Sequence, residues 1–245
     1  MADPDVLALV AARALPLVDL TSLTGEEDDA AIAALCGQAV TPAGPVAAVC
    51  LYGRWVSRAR AELGDAAVRV AAVANFPEGD LDAARAVADA SRAVDDGADE
   101  VDVVLPWRAF LAGDRAGALA VVERTRAACP APVRLKVILE SGRLGDPATI
   151  GAAARDALEA GADFVKTSTG KLDPAATPPA AAVMLEAVRA HGSGGFKASG
   201  GIRMTEQAAE YLELADALLG GHWASPSTFR FGASSLVDDL LARLG

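Results

Sequence analysis

The chain has 245 residues, 52% of them hydrophobic but only 4% aromatic, with 22 basic and 33 acidic side chains and a formal net charge of −11. Its length accommodates one large domain, its alanine- and valine-rich composition suits helices packed closely on a parallel sheet, and its acidic balance argues against nucleic acid as a partner. No apolar run reaches the roughly 20 residues of a membrane-spanning helix, and three widely spaced cysteines, Cys36, Cys50 and Cys129, suit neither a disulfide framework nor a zinc site. The opening Met1-Ala2-Asp3-Pro4-Asp5 is acidic where a secretory signal is basic. A cytoplasmic, reduced protein with no membrane partner is expected.

In chain order, a covering helix is predicted over residues 4–14 and a first strand over 17–20. Thr24 and Glu27 then have the spacing of a capping box. The second strand covers 46–51 and its helix 54–63. The third strand, 68–73, ends in the turn cluster Asn75-Phe76-Pro77-Glu78-Gly79, and the helix over 81–95 closes on Gly97. Strand four, 100–105, carries Glu100 and Asp102 in a valine run, and its helix over 116–128 is stopped by Pro130 and Pro132. Strand five, 133–139, holds Lys136 and leads through Glu140-Ser141-Gly142 to a helix ending at 160–161. Strand six ends at Lys166 and is followed by a helix over 177–191. Strand seven is 195–199, strand eight 216–219, and the last helix 236–244. Tyr52 and Tyr211 fall on predicted helices.

Eight strand-then-helix units without a composition break predict an α/β protein, a single (β/α)8 TIM barrel over residues 1–245 with a short N-terminal covering helix. An open doubly wound sheet is the alternative, because periodicity does not prove closure. Polar residues and glycines gather after the strands, on the face where barrel active sites are built.

Lysine is scarce: only Lys136, Lys166, Lys171 and Lys197 occur among the 22 basic residues, and the rest are arginine. An amine can lose its proton near neutral pH and attack a carbonyl, whereas a guanidinium stays protonated. Three of the four lie in apolar, strand-like runs, where a charged side chain is rare without a task. Lys166 and Lys197 sit on consecutive strands, so their ammonium groups can meet, and like charges in an apolar site favour the loss of one proton. Asp102 is a partner for these amines or a general base, with Glu100 on the same side of the strand but deeper or outside the site. Lys136, Asp19 and Cys50 are further candidates, Cys50 reading as a packed small side chain because neither His191 nor His222 is near it in sequence. Ser199-Gly200-Gly201, Gly220-Gly221 and the Ser234-Ser235 helix start suit phosphate binding.

Taken together, Asp163-Phe164-Val165-Lys166-Thr167-Ser168-Thr169-Gly170-Lys171, Gly195-Phe196-Lys197-Ala198-Ser199-Gly200-Gly201, Ala98-Asp99-Glu100-Val101-Asp102-Val103-Val104, Asp19-Leu20-Thr21-Ser22-Leu23, Asn75-Phe76-Pro77 and Arg230-Phe231-Gly232-Ala233-Ser234-Ser235 resemble the deoxyribose-phosphate aldolases. The resemblance implies Lys166 as the Schiff-base lysine, Lys197 as the amine that tunes it and Asp102 as the proton-transfer carboxylate. It places Gly170, Lys171, Gly200, Gly201, Gly232, Ser234 and Ser235 around the substrate phosphate and Thr169 among the substrate-binding residues. The implied reaction is reversible cleavage of 2-deoxyribose 5-phosphate to acetaldehyde and glyceraldehyde 3-phosphate, without metal or organic cofactor, in a homodimer. Ser199 stands where some relatives have proline, and the chain stops at Leu244-Gly245 where some extend into a tail ending in tyrosine. Slow protonation of the product enamine is the expectation. An imine-forming aldolase with another aldehyde donor and a non-catalytic phosphosugar-binding barrel stay open.

Overall fold

The computed structural model describes residues 3–245, so Met1 and Ala2 of the acidic opening lie outside the described residues. Eight parallel strands run β1 (Val18–Thr21), β2 (Ala48–Tyr52), β3 (Arg69–Ala74), β4 (Glu100–Val104), β5 (Arg134–Ile138), β6 (Phe164–Lys166), β7 (Gly195–Ser199) and β8 (Phe229–Ala233). Each pairs with its sequence neighbours, and β1 also pairs with β8, which closes the barrel and settles the choice against an open sheet. Among the described residues no helix is long and apolar enough to cross a membrane.

Strand periodicity decides what faces where, because successive side chains point to opposite faces. On β4, Val101 and Val103 join the main apolar core between sheet and helices, and on β5 Leu135 and Val137 do the same. The alternate positions turn into the lumen. There, Cys50, Ala71, Val73, Val104 and Ile138 form a small apolar cluster near the mouth with Leu23 and Phe76. The outer helices seat closely because their buried stripes are small: on the helix Ala83–Asp95, Ala86, Ala90 and Ala93 sit against the sheet.

The first helix, Pro4–Ala14, matches the prediction, with Asp3 as its N-cap and Pro4 in its first turn, where a missing amide hydrogen does no harm. Three local expectations are corrected. Residues 216–219 are not strand eight but the end of the helix Thr205–Leu219, whose buried Ala208, Tyr211, Leu212 and Ala215 follow helical spacing. Strand eight is Phe229–Ala233, so Gly220-Gly221 follows a helix instead of a strand and is not a strand-end phosphate loop. The Thr24 and Glu27 pair braces a loop, with the Glu27 carboxylate accepting from the Thr24 amide. The helix that follows, Asp29–Ala39, is capped by Asp28. Tyr52 is the last residue of β2, its hydroxyl 3.4 Å from the Leu23 carbonyl oxygen, and is not helical. A hairpin of Val40–Thr41 with Gly44–Pro45 and short helices at Trp107–Leu111 and Ser141–Leu144 were not predicted.

Candidate active site

The barrel lumen is ionic where many barrels are apolar. Asp19, Glu100, Asp102, Lys136, Lys166, Lys197 and Arg230 all turn inward, each essentially buried. The strand register places them together: Lys166 lies opposite Lys197, Lys197 opposite Arg230, and Asp102 opposite Lys136. Parallel strands about 4.8 Å apart let these side chains share partners across the lumen.

Asp102 is the hub. One carboxylate oxygen accepts from Lys136 Nζ at 2.7 Å, and the other accepts from Lys166 Nζ at 2.9 Å and Lys197 Nζ at 2.8 Å. Lys197 also reaches Asp19 Oδ2 at 2.5 Å, and Lys136 reaches Glu100 Oε2 at 2.6 Å and Asp19 Oδ2 at 3.7 Å. Arg230 bridges Asp19 and Glu100 from the deep side, with Nη2 at 2.8 Å from Glu100 Oε1. Its guanidinium lies over the Phe164 ring, 5.8 Å from the centroid. Gly195 leaves room for that ring, since a Cβ there would fall 2.4 Å from it.

The electrostatic outcome is a set of locked charges. Burial opposes ionisation of Asp102, but Lys136, Lys166 and Lys197 outweigh it and hold the carboxyl well below its ordinary value. Burial also opposes the Asp19 charge and is overcome by Arg230, Lys197 and Lys136. In Lys197 and Lys136, burial disfavours the ammonium, yet the surrounding carboxylates, Asp102 foremost, raise both above the usual lysine value. These two amines therefore stay protonated. Burial raises the Cys50 thiol, which lies 3.9 Å from Asp102 Oδ2, so Cys50 is a neutral packed group, as its sequence setting suggested.

Lys166 differs from the other two lumen lysines in three respects. It is the last residue of its strand, it contacts one carboxylate oxygen where they contact more, and its side chain is 2% exposed where theirs are 0%. Lys166 is thus the lumen amine with the fewest carboxylate contacts, held at a strand end below the barrel mouth.

A cavity of about 530 Å³ opens one layer above this cluster. Thr21, Ser199 and Gly232 line it, each two residues beyond Asp19, Lys197 and Arg230 on the same inward face. Of the residues expected to bind substrate, Thr169, Gly170, Lys171, Gly200, Gly201, Gly232 and Ser234 line the cavity. Ser235 does not: it caps the helix Leu236–Leu244 without a side-chain hydrogen bond. Asp19, Cys50 and Lys136 lie below and do not reach the wall, and neither do Asp102, Lys166 and Lys197, which form the ionic layer beneath it. Gly170, Gly200 and Gly201 have positive φ, which presses their backbone toward the cavity without side chains. At Gly232 a Cβ would lie 2.6 Å from Ser199 Oγ and 2.9 Å from Lys197 Cε, so only glycine fits. Lys171 Nζ donates to the Leu23 carbonyl at 2.5 Å across the mouth. No group of His, Cys, Asp or Glu with metal-holding geometry occurs among the described residues.

Sequence reasoning missed three contributors. Arg203 lines the cavity just after the Gly200-Gly201 turn, where its position alone could have flagged it. Glu140 follows β5 in a left-handed conformation (φ 55°), and its Oε2 accepts from Thr169 Oγ1 at 2.7 Å and from the Thr169 amide, tying down the loop after Lys166. Burial raises its carboxyl against the pull of those hydrogen bonds. Arg230 opened one of the motifs that carried the resemblance but was given no role of its own.

Comparison with known proteins agrees with this geometry. The model of the DeoC/LacD aldolase family matches residues 13–241. A deoxyribose-phosphate aldolase of Agrobacterium fabrum (strain C58) is 49% identical over 233 residues, covering 94% of this chain and 90% of that protein. The structure of a candidate deoxyribose-phosphate aldolase from Toxoplasma gondii ME49 superimposes with a TM-score of 0.89 at 27% identity, covering 98% of this chain and 97% of the other. The tetrameric deoxyribose phosphate aldolase of Aeropyrum pernix does so with a TM-score of 0.75 at 25% identity, covering 99% and 92%. Barrel closure, the lysine and carboxylate cluster and these matches over nearly the whole chain lead to one conclusion: the chain belongs to the DeoC/LacD family of aldolases.

Proposed function

We propose that the chain, acting over its full 245 residues as one catalytic domain, reversibly cleaves 2-deoxy-D-ribose 5-phosphate to acetaldehyde and D-glyceraldehyde 3-phosphate. The observation that carries this reading is the isolation of Lys166: the one lumen amine at a strand end, sharing a single carboxylate oxygen with an ammonium that stays charged. The phosphate would sit in the cavity against the glycine backbones, Ser234 and Lys171. From there the sugar extends down toward Lys166.

In the proposed sequence, neutral Lys166 Nζ adds to C1 of the open-chain aldehyde, and loss of water leaves a protonated imine. The C3 hydroxyl gives its proton to Asp102 through a water as the C2–C3 bond breaks. The bond electrons pass into the iminium, which becomes an enamine, and C3 departs as the aldehyde of glyceraldehyde 3-phosphate. The ammonium groups of Lys136 and Lys197 make Asp102 a weak base, so the proton is passed on and not stored. Delivered to C2 of the enamine, it regenerates an iminium that water hydrolyses to acetaldehyde. Lys197 keeps its proton throughout and repels a second positive charge on Lys166.

A cytoplasmic location and a homodimer belong to the same proposal; the buried, free state of Cys36, Cys50 and Cys129 supports a reducing compartment. The experiment that tests the function is borohydride reduction in the presence of acetaldehyde, followed by peptide mass mapping. Label on Lys166 is expected. Label on Lys136 or Lys197 instead, or on no lysine, overturns the assignment.

A further inference from the structure

The ionic lumen does not end at the three lysines. Beneath them Arg230 and Glu100 form a second, fully buried tier, one layer further from the cavity wall than Lys197 and Asp102. Their part follows from counting charges. The connected cluster holds three carboxylates, Asp19, Glu100 and Asp102, and four cations, Lys136, Lys166, Lys197 and Arg230. Three carboxylates balance three cations, and one cation is surplus. Arg230 cannot release a proton, and it holds Asp19 and Glu100 from below. Lys136 and Lys197 each keep two or more carboxylate contacts. Lys166, with its single carboxylate contact, is the least compensated of the four.

We infer that Arg230 and Glu100 are positioning residues that set, by their opposite charges and without touching substrate, the pH at which Lys166 becomes a nucleophile. This rests on the proposed role of Lys166 and extends it to the tier below. Arg230 makes the cluster one charge too positive for four protonated cations, and Glu100 limits that excess.

Other charged groups lie around the same cluster and are common to all the variants compared below. Asp102 on β4, Lys136 on β5, Lys197 on β7 and Asp19 on β1 belong to the cluster already. Cys50 on β2 is held neutral by burial. Burial also raises the carboxyl of Glu140, just after β5, which is tied to Thr169. Arg69 on β3 and Arg134 on β5 approach Glu100 at 3.8 and 3.9 Å from the outer side, Arg69 largely in solvent at 45% exposed and Arg134 half-buried.

The test is the pH dependence of acetaldehyde trapping at Lys166, read by mass mapping in the full chain. A buried unit charge one contact removed, at an effective dielectric of about 20, moves such a midpoint by on the order of one pH unit. Arg230→Gln should raise the midpoint by that amount, because the remaining cations are then balanced and Lys166 keeps its proton. Glu100→Gln should lower it similarly. The double variant, with the original charge excess, should return close to the unsubstituted chain, and Arg230→Lys, which keeps the charge, should leave the midpoint in place. A purely structural role predicts loss of yield with no shift, or shifts of one sign.

If Arg230→Gln does not fold, Glu100→Gln and the double variant carry the test: a lowered midpoint in the first and its reversal in the second. Trapping at Lys166 with the same midpoint in all folded variants overturns the inference while leaving the function intact. Absence of label on Lys166 in the unsubstituted chain overturns the function itself.

Discussion

Asp102→Asn is the most searching substitution, because it removes one charge and leaves volume almost unchanged. In the folded chain that carboxylate accepts from three ammonium groups at 2.7, 2.9 and 2.8 Å and is fully buried. An asparagine offers one neutral oxygen and turns an NH2 toward ammonium donors, leaving four buried cations to two carboxylates. Breaking a buried ion pair by removing one partner costs roughly 3–5 kcal/mol. For a chain of this size, that lowers the melting temperature by roughly 6–20 °C, at about 2–4 °C per kcal/mol. Loss of the proton acceptor should reduce turnover by roughly 10²–10⁴-fold. The same change has an opposite effect on the first chemical step. Lys166 loses its only carboxylate contact, so borohydride trapping of acetaldehyde should begin at lower pH than in the unsubstituted chain. Calorimetry, coupled turnover and trapping across pH separate these effects. A variant that melts within a degree or two of the original and turns over normally would refute the hub role of Asp102, and trapping displaced to higher pH would refute the charge reasoning.

Lys197→Leu deletes the cation that shares an Asp102 oxygen with Lys166, and the trapping midpoint should rise by roughly two to three pH units at an effective dielectric of about 20; an unmoved midpoint would show that the amines do not couple. Gly232→Ala puts a methyl group 2.6 Å from Ser199 Oγ and 2.9 Å from Lys197 Cε. Its turnover should fall at least tenfold while the chain stays folded by circular dichroism, and full activity would contradict the tightness of that contact. Glu140 has a raised folded-state carboxyl, so the unfolded chain ionises first and stability falls as pH rises above the ordinary glutamate value of about 4.3. Glu140→Gln removes that dependence, and its melting temperature should gain on the unsubstituted chain between pH 4 and 7; a constant difference would mean that Glu140 ionises as freely folded as unfolded.

Much of the architecture was legible in the chain, because strand and helix periodicities are local. The alternation that sends Val101 and Val103 outward and Glu100 and Asp102 inward is written within five residues of β4. The scarcity of lysine pointed to Lys166 and Lys197, since a buried amine in an arginine-rich protein needs a reason. Strand eight escaped because the helix Thr205–Leu219 runs to a leucine pair that reads as a short strand, while Phe229–Ala233, with an arginine and a glycine, runs straight into the Ser234-Ser235 helix start. In the lumen both are required, the arginine for Asp19 and Glu100 and the glycine for the space beside Lys197.

What only the tertiary structure decided is the distribution of charge. The partners of the site come from positions far apart: Lys166 and Asp102 are separated by 64 residues, Lys197 and Asp19 by 178, Arg230 and Asp19 by 211. No local pattern encodes which carboxylate oxygen each cation reaches. Composition could say that amines and carboxylates would meet at the strand ends. Barrel closure, which brings β8 beside β1, sets Arg230 against Asp19 and so joins the lysines and carboxylates of the other strands into one buried cluster.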